Sequence, residues 1–282
     1  MADFKTKYSG VSSHPIGSPG GTVLKEARKK KTIKIGTRNV RSLYEGGKIH
    51  NVLQEMQRLE VNIMGLSETR WPDQGEMLVE HSKIYYSGNN EQQHRNGVAI
   101  VVHRNLINLV TSFTPISDRV IMIGVKTAQR TLNIIQVYAP TSEKVEEEID
   151  QFYDDVQQAL DITKNRDITV IMGDFNAKIG KGKVDDIIGD FGLGIRNERG
   201  DRLTEFCQEQ DMVITNTYYK LHERRLYTWK SPADKDNKII RNQIDYVLIK
   251  RRYRNTIKSA KTYPGTDIGS DHNPVRAKWK SG

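Results

Sequence analysis

One cysteine, Cys207, is all the sulfhydryl chemistry that 282 residues contain. No internal disulfide can form, which excludes the cross-linked scaffolds of small secreted proteins and agrees with a reducing compartment. Cys207 lies in LTEFCQEQ beside Leu203 and Phe206 at helical spacing, so it reads as a buried structural thiol rather than a nucleophile. Also missing is any apolar run of about 18 residues, the length that a membrane-crossing helix needs. Residues 1–31 lack the hydrophobic segment of a secretory signal. The expectation is an intracellular protein without a membrane partner. A composition of 36% hydrophobic and 28% charged residues suits one large domain or two small ones, able to bury a core.

Acidic residues are the minority, and the net charge of +9 points to an anionic partner. Residues 1–31 carry a net of +5 and leave +4 for the remainder. This segment is rich in Gly, Ser and Pro and ends in KEARKKK, which reads as a disordered basic tail. The cluster fits a nuclear address and equally a solvated linker.

The ordered domain is expected over 32–282. TIKIGTRNV alternates as a strand reaching Asn39, GKIHNVLQEMQRLE is an amphipathic helix, and VNIMGLSETRW is a short buried strand ending on Glu68. Strand, helix, strand is the crossover of a parallel pair, so Asn39 and Glu68 share an edge. There a carboxamide and a carboxylate become candidate ligands for a hard cation. Three β-rich stretches follow at 97–104, 119–127 and 130–140, with connections too short for crossover helices, so this part reads as antiparallel. The last of them delivers Tyr138 to a strand end, where a packed core tyrosine is the alternative. A second amphipathic helix, opened by Ser142 and an acidic first turn, leads to ITVIMGDFNAKIG. This dense apolar run ends on Asp174 and Asn176, either as an Asx-type turn or as a site placed at a strand end.

Residues 177–199 form a connection long enough to be functional, with Lys178, Lys181, Lys183 and Arg196. A short helix (DRLTEFCQEQ) and a strand (MVITNTYY) come next. The segment from Tyr218 to Trp229 interleaves cations and rings, which suits phosphate contacts with base stacking, or a hairpin with an aromatic face. In QIDYVLIK, alternation puts Asp245 on the face of Val247 and Ile249, so its charge points inward and needs a partner. Ser270, Asp271 and His272 stand before the last strand, and His272 is that partner.

Asn39 in TRNVRSL, Glu68 in LSETRW, Tyr138 in YAPT, Asp174 and Asn176 in GDFN, Asp245 in IDY, and Asp271 with His272 in SDH run in one order over about 32–281. In that order the chain resembles the endonuclease/exonuclease/phosphatase superfamily, and more narrowly the apurinic-type endonuclease domains of RTE-like LINE retrotransposons. Arg38 departs from the pattern, where the family usually shows an aromatic such as Trp.

The resemblance implies a mixed α/β (α+β) fold, a four-layer αββα sandwich of two mixed β-sheets flanked by helices. It also implies a Mg²⁺-dependent DNA endonuclease, with Mn²⁺ as the substitute cation, no small-molecule cofactor, a monomeric state and a nuclear location. On this reading Asn39, Glu68 and Asp271 hold the metal. Asp174 with Asn176 positions the attacking water, His272 held by Asp245 binds phosphate, and Tyr138 donates to it. Arg70, Lys178, Arg196, Arg225, Tyr227 and Trp229 are the candidate nucleic-acid contacts. A phosphatase or lipid phosphodiesterase shares the same residues, and a domesticated DNA-binding module without activity is the third class.

Overall fold

Several strands are apolar on both faces, so each sheet they build has to be covered on both sides. The computed structural model describes residues 32–89, 95–141, 143–235, 238–265 and 268–280. The basic tail at 1–31 and Ser142 lie outside the described residues. The chain begins with β1 (Thr32–Asn39), α1 (Lys48–Arg58), β2 (Ile63–Ser67), β3 (Gln74–Val79), β4 (Ser82–Ser87) and β5 (Val98–His103). It continues through β6 (Val110–Pro115), β7 (Val120–Lys126), β8 (Thr131–Tyr138), α2 (Glu146–Asp161), β9 (Ile168–Asp174) and α3 (Glu198–Glu209). Last come β10 (Met212–Ile214), β11 (Trp229–Lys230), β12 (Arg241–Asn242), β13 (Asp245–Lys250), β14 (Ile257–Thr262) and β15 (Val275–Lys280).

One sheet has the order β14-β15-β1-β2-β5-β4-β3, the other β10-β13-β9-β8-β7-β6, and β11 pairs with β12. Both large sheets are mixed, because β1 with β2 and β8 with β9 are parallel pairs joined through α1 and α2, among antiparallel neighbours. Between the sheets lie Ile35, Ile63, Ile100, Ile134, Val170 and Val247. Val52, Leu53 and Met56 of α1 cover the outer face of the first sheet. Phe152 and Val156 of α2 and Leu203, Phe206 and Cys207 of α3 cover that of the second. The layers therefore run helix, sheet, sheet, helix.

The antiparallel order expected at 97–104 is found, but not in one sheet with the two stretches that follow. β5 pairs with β2 and β4 in the first sheet, and the chain then crosses to the second sheet through β6. Local spacing gave antiparallel order correctly for β7 and β8 but could not assign sheets. β3, β4 and β6 were not read from the sequence at all. The strand read at MVITNTYY stops at Ile214, because a 3₁₀ turn over Thr215–Tyr218 turns the Thr215 and Asn216 side chains onto β13. Helix α3 begins earlier than expected, capped by the Asn197 side chain, which accepts from the Gly200 N–H at 3.0 Å. The acidic first turn of α2 is present as Glu146, Glu147 and Glu148.

The inner face changes character along its strands. Ile33 and Ile35 of β1 give way to Thr37 and Asn39, Ile134 of β8 to Gln136 and Tyr138, and Met172 of β9 to Asp174. Running the other way, β13 starts at Asp245 and continues inward as Val247 and Ile249. Every one of these polar positions is in phase with core residues two or four steps away. The polar end of the interior is thus collected at one edge of the sandwich. Gln136 ties the sheets together there, donating to Thr37 Oγ1 at 3.0 Å and Ser67 Oγ at 2.9 Å.

Gly173 sets how closely β8 and β9 approach just before Asp174. A Cβ at that position would lie 2.0 Å from the Val137 carbonyl oxygen, a backbone atom that cannot turn aside. Gly173→Ala is expected to destabilise the fold by about 3 kcal/mol through overpacking. In a domain of this size that is a fall of roughly 6–12 °C in melting temperature. Thermal denaturation checks it, and an unchanged melting point would mean that the strands separate without cost.

Candidate active site

Asp174 is the last residue of β9 and pairs in register with Asp245, the first of β13. Both are buried, at 1% and 0% exposure, and like charges this close need relief. His272 supplies it. Its Nδ1 lies 3.0 Å from Asp245 Oδ2 and its Nε2 3.8 Å from Asp174 Oδ2, with the ring 5% exposed. An ionised carboxylate only accepts, so Nδ1 carries a proton towards Asp245. Burial disfavours the imidazolium, yet the Asp245 and Asp174 carboxylates outweigh it and push the His272 pKa up to about 9. Burial, and then the Asp245 charge, raise the pKa of Asp174, while His272 and the Asn39 amide oppose the rise. Among the described residues these three place ligand atoms within 4.8 Å of one another.

Asp174 uses its two oxygens differently. Oδ1 accepts from the Asn176 backbone N–H at 3.0 Å and Oδ2 from Asn39 Nδ2 at 2.9 Å. Asn176 Nδ2 donates to the Ala139 carbonyl at 2.8 Å. The Asx-type turn is therefore real and coexists with the site: the turn fixes one oxygen and leaves the other facing His272. Tyr138, at the end of the neighbouring strand, is buried. Burial first, then the Glu68 and Asp174 charges, raise its pKa, so the phenol keeps its proton. Arg119 holds it from outside, donating to the Tyr138 carbonyl at 3.2 Å with its guanidinium 5.4 Å from the ring centroid.

The Asp271–His272 segment is fixed from several directions. Ser270 Oγ donates to the Asn39 carbonyl at 2.7 Å and accepts from the His272 N–H at 3.1 Å. Thr228 Oγ1 accepts from the backbone N–H groups of Ile244 and Asp245, and its carbonyl accepts from the Asn273 N–H. Thr228 therefore holds the strand of Asp245 to the segment of His272. Its role was missed in the sequence, because nothing near YTWK shows that two distant segments meet on it. Arg38, the departure from the family pattern, is buried and donates from Nε to the His272 carbonyl at 3.1 Å.

Asn39 pairs with Ser67 across the parallel β1–β2 ladder, so Glu68 does emerge beside it. Neither Glu68 nor Asp271 belongs to a group of three close His, Cys or acidic ligands among the described residues. Glu68 meets Arg70 at 2.6 Å. Asp271 accepts from Trp229 Nε1 at 3.0 Å through Oδ2, while its buried Oδ1 accepts no hydrogen bond from the described residues and has the Arg41 guanidinium 3.7 Å away. Asp245 Oδ1 is likewise buried without a hydrogen-bond partner among the described residues. The Asp271 and Glu68 carboxylates and the Asn39 carboxamide are oxygen donors of the kind that a hard divalent cation takes. Arg41, Glu68, Arg70 and Asn176 all have left-handed backbone, with φ of 58°, 59°, 60° and 47°. Such strain, about 1–3 kcal/mol per residue, collects at functional edges.

The remaining candidate contacts divide. Arg70 and Lys178 stand at the site edge, Arg70 exposed and Lys178 half-buried. Arg196 instead staples the connection before α3, donating to the Ile179 carbonyl at 2.9 Å. Arg225 packs on Tyr263, and Tyr227 lies under Arg241 with 4.9 Å to its centroid. Trp229 is tied to Asp271, so it supports the site from within the fold.

The sequence matches the endonuclease/exonuclease/phosphatase family over residues 37–272. It is 44% identical over 246 residues to craniofacial development protein 2 of Bos taurus, covering 87% of this chain and 40% of that protein. The chain therefore spans well under half the length of this relative. The fold is that of the endonuclease domain of TRAS1, a telomere-specific non-LTR retrotransposon (TM-score 0.62, 12% identity, 88% of this chain and 98% of the other). It is equally that of the AP endonuclease LMAP from Leishmania major (TM-score 0.66, 11% identity, 89% and 88%). None of the described helices is long and apolar enough to cross a membrane.

Proposed function

Because the chain belongs to the endonuclease/exonuclease/phosphatase family, we propose that it hydrolyses phosphodiesters as a divalent-metal-dependent endonuclease that nicks DNA. The observation that carries this reading is the buried Asp174–His272–Asp245 set beside Tyr138 and Asn39. A phosphodiester resists attack because it is anionic, so a site must aim a water in line and stabilise charge on the phosphoryl oxygens. Asp174, with both oxygens fixed and its basicity raised, holds the water and takes its proton. The His272 imidazolium, turned by Asp245, binds a phosphoryl oxygen. Tyr138, kept protonated, donates to the same group.

Glu68, Asn39 and Asp271 would hold the cation, Mg²⁺ or Mn²⁺. When bound, it would neutralise charge on the phosphate and the departing oxygen. Arg41 and Arg70 are exposed enough to turn onto the DNA backbone. DNA as substrate is supported by the net charge of +9 and by relatives that are an AP endonuclease and a retrotransposon endonuclease. A monomer acting in the nucleus belongs to the same reading.

Supercoiled plasmid, incubated with Mg²⁺ and then with EDTA, tests it: nicking should require the metal. Glu68→Gln keeps shape and removes charge, and it should lower nicking at ordinary Mg²⁺ by about 10²-fold with the fold intact. Full nicking by that variant would remove Glu68 from the metal set. Release of terminal phosphate without any nicking would replace the endonuclease reading by a phosphatase.

A further inference from the structure

Strands β8, β9 and β13 run from the catalytic edge to the opposite pole, a distance of about 20 Å at ~3.3 Å per residue. At that far pole two guanidiniums from separate connections meet on one ring, and a third arginine joins them through its backbone carbonyl. Arg130 precedes β8, Arg166 precedes β9, and Arg252 and Tyr253 follow β13. The guanidiniums of Arg130 and Arg252 lie 5.6 and 4.8 Å from the Tyr253 ring centroid. Arg130 Nη1 donates to the Arg166 carbonyl at 2.7 Å and to Tyr253 Oη at 2.5 Å, and Tyr253 Oη donates to the same carbonyl at 3.1 Å. Lys164 adds another exposed cation two residues before Arg166.

The charge balance here differs from that of the adjoining surface. Arg251 and Arg254, in the same turn, are neutralised by Asp211 at 2.8 Å and Asp186 at 3.9 Å. Arg130, Lys164, Arg166 and Arg252 form no ion pair with a carboxylate among the described residues, and all four side chains are exposed. Like charges gathered in this way repel, and an external anion relieves the repulsion. The anion type follows from the donors: three planar guanidinium forks against one ammonium favour phosphate, which they grip in pairs of hydrogen bonds. The neighbouring cavity lined by Lys183, Arg254 and Lys258 also contains Asp186 and Asp190, and Asp186 pairs with Arg254, so it does not extend this surface. The cleft that Lys164 and Arg252 share contains Asp161 and Asp167, but neither forms an ion pair with the four cations.

We infer that this pole, built on Tyr253 with Arg130, Lys164, Arg166 and Arg252, is a second nucleic-acid-binding surface that holds a phosphate backbone apart from the segment being cut. A duplex seated on the catalytic edge cannot reach it without a sharp bend, since DNA is stiff over about 150 base pairs. The protein then holds two duplex segments at once. The two-segment statement rests on the DNA-nicking reading, whereas the existence of the surface does not.

The test uses the full chain in EDTA, where binding is read without cutting, and duplexes of about 16 base pairs that cannot wrap the domain. Sedimentation at low salt should show two duplexes on the wild type and one on R130E/R252E, with affinity for the second duplex reduced at least about tenfold. R130Q/R252Q, which keeps polar side chains without charge, should weaken the same site and guards against local unfolding by the reversed charges. With Mg²⁺, both variants should nick a short duplex within about twofold of wild type, because the removed phosphate contacts lie away from the cut. A second bound duplex that survives both substitutions overturns the inference. So does a polyglutamate peptide that occupies this pole where duplex does not. A single duplex that is lost in R130E/R252E, with nicking absent throughout, would remove the catalytic reading and leave this surface standing.

Discussion

Asp174→Asn is expected to lower kcat for nicking by about 10³-fold, the range of a lost general base, while KM changes little. The substitution keeps the acceptor for the Asn176 N–H, so the turn after β9 survives. It removes the charge that lies against Asp245 and that burial already disfavours. The stability sign is opposite to the activity sign. A carboxylate whose pKa is raised on folding destabilises the native state as pH climbs from its ordinary 3.8 through the raised value, because the unfolded chain ionises first. Asn has no such titration. Melting curves between acid and neutral pH should therefore fall less steeply for the variant than for the wild type, although Asn39 loses its charged acceptor. An inactive but unfolded variant, or one within tenfold of wild-type kcat, would show that Asp174 is a structural turn residue alone.

The second large effect is in the Asp245–His272 pair, which should behave as one unit. His272→Ala is expected to cost about 10²–10³-fold in kcat/KM, by loss of a charged phosphate contact. Asp245→Asn should cost nearly as much, and the double variant scarcely more than His272→Ala alone, because Asp245 acts through the ring it orients. Direction in pH separates this from a packing defect. The Asp245 charge helps to lift the His272 pKa from 6.5 to about 9 against burial. If the working form is the imidazolium, activity falls on the alkaline side near that value. Asp245→Asn should move that limb to lower pH. Stability follows the same sign: the raised His272 pKa stabilises the fold fully below 6.5, and the contribution is lost as pH rises through about 9. In Asp245→Asn this alkaline loss should begin earlier, together with the kinetic limb. Additive losses in the four-member cycle, or an alkaline limb that stays fixed, would mean that Asp245 serves another partner.

Much of the candidate set was legible because its members sit at or near strand ends, where a local pattern breaks. Period-two alternation marked Asp245 as inward, and it is fully buried in phase with Val247 and Ile249. The crossover from β1 to β2 through α1 brought Asn39 and Glu68 together for the same local reason. Apart from the Asp245–His272 pair, contacts between residues far apart in sequence were not legible. Nothing in SDH or YTWK shows that Asp271 accepts from Trp229, or that half-buried Trp229 bridges to His272.

By itself the sequence determined the elements that carry the candidate site, their buried faces and the order of the polar residues that end them, since helical and strand periods act over a few residues. Only the tertiary structure decided that β5 belongs to the first sheet and β6 to the second. It also decided that Thr228 joins the strand of Asp245 to the segment of His272, and that the guanidiniums of Arg130 and Arg252 and the carbonyl of Arg166 converge on Tyr253. Those outcomes depend on how two twisted sheets stack, which is set by the whole interior at once and is written in no single segment.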